Sequence, residues 1–156
     1  MTFESLQQLN IEDLIPHRAP MVLIDKLIAY QADHVTAQVT IKATSPYFDD
    51  ALNGVPNYVG IEYMAQTIAA LAGIEAKQAN RDIRLGFLLG SRKLVLNQNR
   101  YQLDHIYQIH VQRLYQEESG LAVFECKITE QDDLIASANV NVFQPQDTQA
   151  YITDNV

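Results

Sequence analysis

Residues Gly54–Gly73 read GVPNYVGIEYMAQTIAALAG. Beyond Pro56 the stretch predicts one helix, from about Tyr58 to Gln78, apolar around most of its circumference. Asn57 stands where an N-cap belongs, able to accept from orphan amides of the first turn. Between Tyr58 and Ala76 the polar side chains are Glu62, Gln66, Thr67 and Glu75, and only Glu75 lies near the exposed end. A helix of this composition is built to be buried, which singles out Glu62. The helix dipole and hydrogen bonds favour its charge there, whereas desolvation opposes it. Two roles are open to it: an ion-pair or capping element, or a general acid or base. Gln66, four residues on, shares its face.

Outward from the helix, residues 4 to 15 predict a short helix around Leu6, Leu9, Ile11 and Leu14, ended by Pro16. Met21–Tyr30 reads as a strand. Val35, Ala37, Val39 and Ile41 then alternate with Thr36, Gln38, Thr40 and Lys42, the period of a half-buried strand. Ala43–Pro56 reads as a loop. Four more strands follow the helix, at Arg84–Leu89, Ile106–Tyr115, Leu121–Thr129 and Leu134–Phe143, with turn residues at 117–120 and 131–133. One apolar helix among half-buried strands is best covered by an antiparallel sheet curling round it. The expectation is therefore an α+β hotdog fold, about six antiparallel strands wrapped on one long central helix. A doubly wound parallel sheet fails for want of crossover helices. Residues 1–145 form this single domain, and 146–156 a polar, disordered tail.

Bulk properties narrow the chemistry. The 156 residues are 47% hydrophobic and 19% charged, which suits one globular domain. No signal peptide and no membrane-length apolar run is visible, and the one cysteine, Cys126, fits a reducing cytoplasm. A net charge of -8 disfavours nucleic acid. The four histidines and Cys126 lack metal-ligand spacing, and no glycine-rich phosphate loop occurs. Cys126 shares a strand with Ala122, Phe124 and Ile128, so its thiol reads as inert packing.

Two motifs carry a resemblance. LIPHRAPMVLIDKL (Leu14–Leu27) resembles the N-terminal signature of bacterial 3-hydroxyacyl-acyl carrier protein dehydratases, and VPNYVGIEYMAQ (Val55–Gln66) resembles their central-helix motif. The likeness covers most of residues 14–143 and is nearest to a divergent branch of predicted hotdog dehydratases associated with aryl polyene biosynthesis. It implies removal of water from a 3-hydroxyacyl thioester held on the phosphopantetheine arm of acyl carrier protein, with no metal and no bound cofactor. It implies a catalytic carboxylate at Glu62, and substrate binding around the same turn by Asn57, Tyr58, Gly60 and Gln66. It also implies dimerisation, as a homodimer or with another hotdog chain.

The family's histidine does not transfer. It stands some fourteen residues before the glutamate, where this chain has Phe48, and no histidine occurs between His34 and His105. Asn57 replaces the helix-start glycine, although its amide could still donate to a thioester carbonyl. Asp49 or Asp50 offers either a weaker base or turn capping. His17 matches a family histidine outside the catalytic pair and is expected to pin the N-terminal segment. His34, His105 and His110 fall on a turn, a loop and the polar face of a strand. Arg81, Arg84, Arg92, Lys93 and Arg100 form either a docking rim for an acidic carrier protein or a solvated edge. The family's acyl tunnel implies a role for Leu85–Gly90. Three functions follow: a dehydratase with an unusual or borrowed base, a non-catalytic partner subunit of an active hotdog dehydratase, or a hotdog thioesterase or acyl-binding protein.

Overall fold

The alternating segments pair as their periodicity demands. The computed structural model describes residues 3–84 and 86–145. Strands β1 (Lys26–Gln31), β2 (His34–Thr40), β4 (Phe87–Leu96), β6 (Ile106–Gln116), β7 (Leu121–Glu130) and β8 (Asp133–Phe143) form one sheet in the order β1-β2-β6-β7-β8-β4. Every pairing in it is antiparallel. The short strands β3 (Gly54–Pro56) and β5 (Arg100–Gln102) make a separate ladder. The proposed tail at 146–156 lies outside the described residues.

The central helix α2 runs Gly60–Gln78 and lies against the inner face of the sheet. It buries Tyr63, Met64, Ile68, Ala70, Leu71 and Ile74 against Val35, Ala37, Val39, Ile109, Val111, Phe124 and Ile128 from the strands. That arrangement is the hotdog fold expected from the helix's all-round apolarity. Among the described residues no helix is long and apolar enough to cross a membrane.

Several expected boundaries move, each for a physical reason. The N-terminal helix is only Phe3–Gln7 (α1), followed by a single 3-10 turn at Ile11–Asp13 whose entry Asn10 caps. The strand expected from Met21 begins at Lys26, because Gln66 takes the polar backbone groups of Met21 and Leu23 that a ladder would need. The loop at 43–56 ends in β3, which pairs with a strand formed some 45 residues later. Asn57 is no N-cap: its side chain donates to the Gln98 carbonyl, and a 3-10 turn at Asn57–Val59 leads into the helix instead. The strand expected at Arg84–Leu89 starts at Phe87 and runs to Leu96. It pairs with β8 alone, so it is one outer edge of the sheet.

Candidate functional site

The alanines of α2 create the site. Glu62, Ala65, Ala69 and Ala72 fall at i, i+3, i+7 and i+10, one face of the helix. Methyl side chains on that face leave space that Phe87, Phe124 and Val142 bound from the sheet side. The result is an apolar cleft of about 220 Å³, with Pro16, His17 and Glu62 among its lining residues together with Arg113, Gln116 and Gln144. Periodicity registered the helix as apolar all round. The alanine stripe was the available sign that one face would be left unfilled.

Glu62 is less buried than its neighbours suggest, with 37% of its side chain exposed. It lies between the cleft and a shallower depression formed by Met21, Tyr47, Tyr58, Val59 and Ile61. His17 Nε2 stands 3.7 Å from Glu62 Oε1, while His17 Nδ1 is buried without a hydrogen-bond partner. The segment carrying His17 is held from two sides. Gln66, fully buried, donates from Nε2 to the Met21 carbonyl at 2.7 Å and accepts from the Leu23 amide at Oε1 at 2.9 Å. The Arg18 guanidinium donates to the carbonyls of Ile15 and His17.

The residues expected around substrate meet different surroundings. Tyr58 is 68% exposed in the shallow depression beside Glu62. Gly60 is buried, with its Cα packed against the Tyr101 hydroxyl, where any larger residue would collide. Both hydrogen-bonding ends of the Gln66 amide are occupied by backbone, which leaves it no reach into the cleft. The Asn57 amide is likewise taken, donating to the Asn99 carbonyl, so it is no free donor for a thioester oxygen.

Other candidates resolve through their partners. Phe48 packs against the core at the position of the family histidine. Asp49 accepts from the Ala51 amide at 2.8 Å, which is turn capping. His105 pairs with Glu130, and His110 lies between the hydroxyls of Thr36 and Thr129; neither lines the cleft. Cys126 is fully buried, and desolvation pushes its thiol up to about 12, the inert state expected. Arg113 spends its terminal nitrogens on a bidentate pair with Glu75 and a further bond to Asp33, over the Phe124 ring. The Glu75 bonds outweigh desolvation and hold the guanidinium charged. Of the basic residues, Arg84 lines the cleft, whereas Arg100 is committed to the Leu52 carbonyl.

A curled antiparallel sheet on one central helix is the hotdog fold, and here it sets a first-turn carboxylate beside an apolar cleft. The chain belongs to the ApeP-like family of dehydratases, described as ApeP dehydratase, whose profile matches residues 9–153. It is similar to a solved chain of the dehydratase heterocomplex ApeI:P from Xenorhabdus doucetiae, at 28% identity and a TM-score of 0.86, over 95% of this chain and 99% of that one. It is also 32% identical over 94 residues to a 3-hydroxyacyl-[acyl-carrier-protein] dehydratase FabZ of Chlamydia trachomatis, a match spanning 57% of this chain and 61% of that protein. A FabZ of Streptococcus uberis matches at 25% identity over 84% of this chain and 92% of its own length.

Proposed function

We propose that this chain takes part in removing water from a 3-hydroxyacyl thioester delivered on the phosphopantetheine arm of acyl carrier protein, in fatty acid or aryl polyene biosynthesis. The observation that carries the reading is the half-exposed Glu62 carboxylate on the first turn of α2, lining an apolar cleft. A cleft with methyl and phenyl walls suits an acyl chain, and an acid beside it suits departure of the 3-hydroxyl. Glu62 is the residue assigned to that proton transfer.

The chain works beside a second hotdog protomer, a copy of itself or a different chain. The exposed edge of β4, with Leu88, Leu89, Leu94 and Val95 at 43–52% exposure, supports this assembly. The similar ApeI:P chain belongs to a heterocomplex. Arg81, Arg84, Arg92 and Lys93 supply positive charge for an acidic carrier protein.

One mixed assay tests the reading. The purified chain, alone and with a second hotdog protein, is given a 3-hydroxyacyl-carrier-protein and enoyl product is followed. Glu62→Gln should lower enoyl formation by about 10²–10⁴-fold. Full activity in that variant sinks the role of Glu62. Free carrier thiol without enoyl product selects a thioesterase instead.

A further inference from the structure

We infer that His17 is the general base opposite Glu62, supplied by the N-terminal segment of the same chain in place of a histidine in the loop before α2. The inference rests on the dehydratase reading above. His17 is the one histidine that lines the cleft, and its Nε2 stands 3.7 Å from Glu62 Oε1. With 29% of its side chain exposed, the ring is open to a ligand on one side. Its other nitrogen, Nδ1, is buried without a partner, so Nε2 is the atom able to exchange a proton in the cleft. Buried polar atoms without partners are uncommon and concentrate where function outweighs stability.

A purely structural role for His17 fits less well. A half-exposed pair 3.7 Å apart contributes little to stability. The segment is already secured by the buried Gln66 amide at Met21 and Leu23, and by Arg18 at the Ile15 and His17 carbonyls. Gln66 lies one turn beyond Glu62 on α2, so one helix carries both the acid and the clamp that holds the base beside it. Gln66 is thus a positioning residue.

The chemistry balances without a co-reactant. Neutral His17 takes the C2 proton of the 3-hydroxyacyl thioester at Nε2 and becomes imidazolium. The C–H electron pair forms the C2–C3 double bond, and the C3–O bond breaks. The departing oxygen takes the proton of the Glu62 carboxylic acid and leaves as water. Imidazolium and carboxylate then stand as an ion pair, and transfer of one proton from His17 to Glu62 restores the starting state.

The test uses the full chain, alone and with its hotdog partner, and a racemic 3-hydroxyhexanoyl N-acetylcysteamine thioester. His17→Gln should lower kcat by about 10²–10⁴-fold with little change in KM. His17→Ala should recover part of the loss on addition of imidazole, and Glu62→Gln should not respond to it. The double variant should be little slower than either single one, because the pair acts as a unit. His17→Gln within about threefold of wild type, with Glu62→Gln impaired, overturns the base and leaves the dehydratase reading standing. A folded His17→Ala that imidazole does not restore overturns it as well. Enoyl product absent from the wild type, or unaffected by both substitutions, overturns the dehydratase reading and the base with it.

Discussion

At the residue scale, His110 shows what its surroundings do to a titrating group. It sits on β6 between the hydroxyls of Thr36 and Thr129, with the His34 ring 6.5 Å away. Desolvation first, then His34 and Lys127, lower its proton affinity below the ordinary value of about 6.5. The unfolded chain then binds this proton more readily than the folded one, so the group makes stability rise with pH. Its contribution is present above about pH 6.5 and is lost as the pH falls from there to the folded value. Denaturant titrations from about pH 7.5 to 5 should show a steeper loss for the wild type than for His110→Asn. The residues of the candidate site differ in how readable they were. Glu62 was conspicuous as a carboxylate in an apolar helix. His17 was not, because its place beside Glu62 depends on Gln66 reaching backbone 43 and 45 residues away. The Asn57 amide was likewise spent on Asn99, a contact that no local pattern announces.

At the element scale, α2 owes its seat to close approach as much as to apolar burial. A Cβ on Gly60 would collide with the Tyr101 hydroxyl, and one on Gly73 with the Leu14 carbonyl. Tyr101 is packed edge-on between Tyr63 and Tyr107, and its hydroxyl is buried without a partner. Gly60→Ala should therefore cost about 1–3 kcal/mol. Tyr101→Phe should change stability by no more than about 1 kcal/mol and can raise it, since an unsatisfied hydroxyl is removed. In the double variant the collision is relieved, and denaturant melts should show a favourable coupling of about 1 kcal/mol. Ile128 Cδ1, 3.2 Å from the added methyl, keeps the rescue partial. The helix itself, its length and its burial, was plain from composition. The strands expected at Ile106–Tyr115 and Leu134–Phe143 were plain from alternation, whereas β4 was displaced because an edge strand with apolar residues on both faces has no alternation to read.

At the scale of the whole molecule, the sheet order leaves β4 as one outer edge of the main sheet, bearing Leu88, Leu89, Leu94 and Val95. Four half-exposed aliphatic residues on one outer strand form an adhesive edge unless another chain covers them. On the proposed pairing with a second hotdog chain, Leu89→Glu combined with Val95→Glu should shift the assembly toward single chains without unfolding them. Native mass spectrometry reads the first effect and far-ultraviolet circular dichroism the second. The net charge of -8 disfavours polyanions overall, and the basic residues Arg81, Arg84, Arg92 and Lys93 are the local exception.

The sequence by itself determined the class of fold, because a helix apolar on all sides can be satisfied only by a sheet that wraps it, and period-2 strands supply that sheet. It also determined that Glu62 stands on the first helical turn, since that follows from position along one helix. The tertiary structure decided what faces Glu62: an imidazole from residue 17 and a cleft that the alanine face leaves open. Those contacts join segments far apart in the chain, and their geometry is set by packing and by the Gln66 hydrogen bonds, which exist only once the sheet has closed on the helix.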